Sequence, residues 1–123
     1  MLLLVAARLL DLPTAEERER RSAINRAYYA AYGEAREYAV AHGLNMQSGG
    51  QSHDRVWQFL RRGATYSQTW ESAAAKAIGD MGVELCAMRV QADYFRTNSP
   101  SEADARRAVS LANLIVKRLL GLP

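Results

Sequence analysis

The chain has 123 residues, a single cysteine and a formal net charge of +3. That length suits one domain built on one core, and one cysteine excludes an internal disulfide and a secreted disulfide scaffold. A balance this mildly basic is compatible with RNA or DNA but does not require it, because no dense Lys/Arg block stands out.

The apolar opening MLLLVAARLL starts without a basic leader, is interrupted by Arg8, and is far shorter than a membrane span of about 20 residues. It reads as a short core helix of a cytosolic protein, with no membrane role. Next, PTAEE offers Thr14 as N-cap and Glu17 three residues on, a capping box directly after a proline. An amphipathic pattern then runs to about His42. Ile24, Tyr28, Ala31, Ala35 and Tyr38 recur every three or four residues and share one face, and Gly43 supplies the stop. NMQSGGQSHD is the clearest loop. Ser52 is an N-cap for a short helix with Val56, Trp57 and Leu60 on its apolar side and Gly63 at its end. Ala74, Ile78, Met81, Leu85, Met88 and Ala92 keep helical spacing through another long segment. In SPSE, Ser99 is the expected N-cap, Pro100 the first helical residue and Glu102 the third; Ala105, Val109, Ala112, Ile115 and Leu119 form the final stripe. Strand alternation is almost absent. The expectation is an all-α, up-and-down bundle of about five helices, two of them long, forming a single domain over residues 1–123.

Metal ligands are too scattered for a zinc or di-metal centre, and QSGGQS lacks the lysine and the strand context of a phosphate loop. No cofactor is implied. His53 and Asp54 read as a helix start with a carboxylate near the positive dipole end, and Cys86, inside VELCAM, as a small buried hydrophobe. Two stretches stand out. One holds Asn25, Arg26, Tyr28, Tyr29 and Tyr32; the other holds Arg89, Asp93, Tyr94 and Arg96 at the end of a long helix. Arg89 and Asp93 are four apart and able to pair, which at a surface contributes only about 0.3–0.5 kcal/mol. The sharper reading is a pocket in which arginines from both stretches meet a phosphate.

The segments SAINRAYYAAYGEAREY, SHDRVWQFLRRG, GVELCAMRVQADY and SPSEADARRAVSLANLIVKRL together resemble, in order, the helices of the HEPN superfamily (higher eukaryotes and prokaryotes nucleotide-binding), over roughly residues 3–120. RAYYAAY and ADY carry most of the specificity. The resemblance implies a helical bundle that often dimerises, works in toxin–antitoxin, stress or defence systems, and often stands beside a nucleotidyltransferase-like or antitoxin partner. Its active members are metal-independent endoribonucleases whose arginine is followed, after four to six residues, by a histidine. Arginine's planar fork holds phosphate oxygens, and histidine moves the proton when a ribose 2′-OH attacks.

Here Arg89 matches the arginine, but Tyr94 occupies the histidine position, preceded by Asp93. With an ordinary pKa near 10, a tyrosine is a poor general base at neutral pH. Arg36 and His42 match the spacing literally, but they lie on the wrong helix, and about 600° of helical turn separates their faces. The residues expected to carry a catalytic site are therefore Arg89, Asp93 and Tyr94. Those expected to bind nucleotide or RNA are Arg26, Tyr29, Arg89 and Arg96. Asp93 is the expected partner of Arg26, and Tyr28, Tyr32 and Tyr38 are expected in the core or a dimer seam. Trp57, Phe59 and Tyr66 are read as an exposed aromatic patch that a second copy would cover. Binding or regulation through a partner is favoured over catalysis. The alternatives are a degenerate endoribonuclease and an oligomeric interaction module without a nucleotide role.

Overall fold

A computed structural model describes residues 2–11, 17–46, 52–66, 70–94 and 100–122. Over these residues it is an all-α helical bundle of five helices: α1 Leu2–Asp11, α2 Glu17–Ala41, α3 Ser52–Tyr66, α4 Trp70–Tyr94 and α5 Glu102–Leu120. No strand occurs among the described residues. Among the described residues, no helix is long and apolar enough to cross a membrane.

Small residues set how closely the helices approach. Ala23, Ala27, Ala31, Ala35 and Ala39 of α2 are fully buried, as are Ala105, Ala108 and Ala112 of α5, and α2 packs extensively on α5 and on α1. α3 packs mainly on α4. Their contact runs through Gly82, where a Cβ would run into the Trp57 ring, and through Gly79, where it would meet Arg61 and the Trp57 carbonyl. Ascending positions in α2 meet descending ones in α4: Arg21 donates to the Ala92 carbonyl, and Arg89 lies over Tyr28. The two long helices are thus antiparallel. Trp57–Gly82 and Arg61–Asp80 show the same for α3 and α4.

Helix ends follow local chemistry, with two shifts from expectation. α2 stops at Ala41, and Gly43 takes φ 109°, the left-handed conformation that suits glycine. α5 begins two residues later than the SPSE reading placed it. Ser101 is the N-cap: its hydroxyl accepts from the Asp104 N–H at 3.0 Å, and the Asp104 carboxylate accepts from the Ser101 N–H at 3.1 Å. The Pro100 carbonyl is meanwhile held by Arg20 at 2.9 Å. The reciprocal Ser/Asp pair wins because it satisfies two amides that would otherwise lack partners. α3 includes Ser52 and continues past Gly63 to Tyr66. Thr14 and Ser99 lie outside the described residues.

The aromatic patch expected to cover a dimer seam is also corrected. Trp57 is 1% exposed, because its ring packs on Gly82 and its N–H has an internal acceptor. Phe59 packs, partly buried, against the core, and the Tyr66 side chain lies outside the described set. Among the described residues, exposed apolar surface falls instead on Leu4, Val5, Tyr29, Val40, Val83, Leu114 and Leu120.

Two glycine substitutions should act in opposite directions. Gly82→Ala overpacks the α3/α4 contact and should destabilise the fold by about 1–3 kcal/mol. Gly33, in mid-α2 with open space where a Cβ would stand, should tolerate alanine and gain up to about 1 kcal/mol from helix propensity. Urea unfolding of both variants measures the difference.

Candidate functional site

The tyrosines of α2 converge with His53 of α3 and with Cys86 and Arg89 of α4. Tyr28 is fully buried. Its hydroxyl accepts from the Trp57 indole N–H at 3.1 Å and lies 2.7 Å from His53 Nδ1. Cys86 lies against the same hydroxyl. Burial is the main cause that pushes the Tyr28 phenol far above its ordinary pKa; the Trp57 N–H and the Arg89 charge pull the other way without prevailing.

The proton positions are assigned from these contacts. The indole is a donor only, so the Tyr28 oxygen accepts from it. The retained phenolic proton has two neighbouring acceptors, the Cys86 sulfur and His53 Nδ1, and is assigned to the nitrogen, 2.7 Å away. The neutral imidazole therefore carries its proton on Nε2. Burial first, and the Arg89 charge second, hold the His53 pKa below its ordinary value. The ring stacks on Tyr32, with centroids 4.1 Å apart and planes 16° apart, and on Tyr28 at 5.5 Å.

Arg89 is the cation of the cluster. Its guanidinium carbon is 5.3 Å from the Tyr28 ring centre and 5.7 Å from that of Tyr29, within cation–π range. The side chain is only 14% exposed, and its bond to Asp93 is a loose 3.3 Å. Burial opposes its charge, but Tyr29, Cys86 and Asp93 together outweigh that and leave its pKa above the ordinary value. Its Nε–H is buried with no hydrogen-bond partner. A buried donor without an acceptor is uncommon in a native fold.

The expected site residues are only partly brought together. Arg89, Asp93 and Tyr29 meet. Asp93 pairs with Arg89 and with Asn25, whose amide reaches its carboxylate at 3.2 Å and 3.5 Å. The expected Arg26–Asp93 pair is therefore replaced by Asn25–Asp93. Asn25 precedes Arg26 by 100° of helix, which turns Arg26 to the exposed face, where it makes no ion pair among the described residues. Tyr94 closes α4, and its side chain lies outside the described set, as does the whole of Arg96. Tyr38 stacks on His42 at 4.0 Å, away from the cluster. No group of three or more His, Cys, Asp or Glu able to hold a metal occurs among the described residues.

Sequence reasoning missed His53 and Cys86. His53 stands 25 residues from Tyr28, and no local spacing marks it. The available signal was the surplus of tyrosines on one face of α2, which need a polar partner when buried.

A family-model scan, a search of curated proteins and a search of solved structures each return no match to this chain.

The depressed His53 pKa makes stability depend on pH. Unfolded His53 titrates near about 6.5 and the folded residue lower. The stabilisation linked to neutral His53 is therefore complete above about pH 6.5, and is lost as pH falls from there through the folded value. Urea midpoints should drop between about pH 7.5 and about pH 5.5 more steeply for wild type than for His53→Gln. Tyr28→Phe strands both the Trp57 N–H and His53, and should cost about 1–3 kcal/mol by the same measurement.

Proposed function

We propose that this chain is a HEPN-like bundle that binds a phosphate-bearing ligand, nucleotide or RNA, at the cluster of Arg89, His53 and Tyr29. Its setting would be a toxin–antitoxin, stress or defence system, where it acts as a homodimer or with a nucleotidyltransferase-like or antitoxin partner. The observation that carries this reading is the buried Arg89 Nε–H without an acceptor. A guanidinium with an unmet donor, a loose carboxylate partner and two aromatic faces beneath it suits an oxyanion. His53 adds a second donor through Nε2–H, and the Tyr29 ring backs the guanidinium as a cation–π face.

The endoribonuclease reading draws support from the proximity of a histidine to Arg89, supplied by α3 rather than by position 94. The hydrogen-bond pattern weighs against it. A general base needs an open lone pair, and that of His53 Nδ1 is engaged by Tyr28. Binding fits this geometry better than proton abstraction.

Arg89→Ala should weaken nucleotide or RNA binding about ten- to a hundredfold, as loss of a charge-assisted bond does, while circular dichroism stays helical. If Arg89 served only to pair with Asp93, the variant would lose thermal stability alone, and adding Asp93→Asn would partly rescue it. Wild-type protein should show little metal-independent RNA cleavage; robust cleavage abolished by Arg89→Ala would replace binding with catalysis.

A further inference from the structure

Beside the cluster, α3 and α4 flank an open groove-like cavity of about 500 Å³, within the size range of small-molecule sites. Trp57, Val83 and Val90 give it apolar walls. Its polar lining comes chiefly from His53, Asp54 and Gln91. His53 belongs to both regions: it lines this cavity, stacks on Tyr32 and feels the charge of Arg89. His53 and Arg89 also lie against the same two rings, Tyr28 and Tyr29. A ligand with a flat apolar body and an anionic end thus meets its two requirements in adjacent places.

We propose that this cavity receives the base of a guanine mononucleotide, with its phosphate at Arg89 and the His53 Nε2–H. The inference rests on the phosphate-binding reading above and names the ligand for it. The argument for guanine is the Asp54 carboxylate, which offers acceptors only. Guanine's N1–H and N2–H₂ are two adjacent donors that match its two oxygens. Adenine and cytosine each place a ring acceptor beside the amino group. Uracil flanks its one ring N–H with two carbonyls that a carboxylate repels. Among the described residues, Asp54's one hydrogen-bond partner, Gln58, sits at a marginal 3.5 Å, so its oxygens are available to a base. The argument for a mononucleotide rather than a strand is electrostatic. Single-stranded RNA is tracked by a groove with a run of cations, whereas the described residues lining this cavity include no Lys or Arg.

Isothermal titration of the full-length chain with GMP, AMP, CMP and UMP tests the assignment. GMP should bind at least tenfold more tightly than the other three. Asp54→Asn should remove that preference while leaving AMP affinity within about twofold. Val83→Trp, which fills the cavity from a partly exposed position, should reduce GMP binding with unfolding unchanged. Equal binding of all four nucleotides that Arg89→Ala abolishes would overturn the guanine pocket and leave the phosphate site standing. A GMP preference that survives Asp54→Asn would also overturn it. A short single-stranded RNA containing one G that binds a hundredfold more tightly than GMP would replace the mononucleotide with a strand. Failure of every nucleotide and RNA to bind would remove both the pocket and the phosphate reading.

Discussion

One hydroxyl organises the polar cluster where α2, α3 and α4 meet. The Tyr28 phenol sits in a core whose buried residues are otherwise almost wholly aliphatic, apart from Trp57, so its oxygen and proton must be satisfied by neighbours or cost about 1–3 kcal/mol. They are met by groups from two other helices: Trp57 and His53 of α3, and Cys86 of α4. The consequence goes beyond stability. The direction of the Trp57–Tyr28–His53 chain selects the imidazole tautomer, and the Tyr28 ring provides one face against which Arg89 rests. Indole orientation, histidine protonation and arginine placement follow from the same atom.

The fold makes room for this arrangement by concentrating small side chains elsewhere. The alanine faces of α2 and α5 let those helices approach closely, and Gly79 and Gly82 let α3 settle onto α4. Large side chains are then accommodated where α2, α3 and α4 meet. Among the described residues, Trp57 and Tyr28 are the two bulkiest that are fully buried, and they touch, with ring centroids 6.2 Å apart. An interior packed to normal density does not yield to accommodate a shift, so the rings hold His53 and Arg89 in place. This rigidity distinguishes a pre-formed polar cluster from charges that merely cover a surface.

Charge placement has the same logic. Several ion pairs join exposed side chains one helical turn apart, such as Lys76–Asp80 and Arg106–Glu102; these solvate the bundle and contribute little. Arg89 also has an i,i+4 partner, yet it is mostly buried and keeps one donor unmet. The spacing of Arg89 and Asp93 in the sequence is indistinguishable from that of the solvated pairs. The difference lies in what covers the guanidinium, which is the aromatic face of another helix.

The helices themselves were legible from the sequence because helical periodicity and capping are local. The stripe Ala105, Val109, Ala112, Ile115 and Leu119 is buried as its spacing implied, and Gly43 ends α2 because only a residue tolerant of positive φ fits there. Even the misplaced start of α5 was a choice between two serines in one short motif, decided by which carboxylate closed the box. Arg89, Asp93 and Tyr29 were also visible as chemistry-bearing residues. The tertiary structure alone decided that Asn25 takes Asp93 in place of Arg26, and that His53 joins the tyrosines. Each of these depends on residues 25 to 68 positions apart in the chain. A helix specifies which side chains share its own face, but their partners are set by how closely, and at what angle, separate helices pack. That depends on the summed volumes of all the facing side chains, and no short stretch of sequence encodes it.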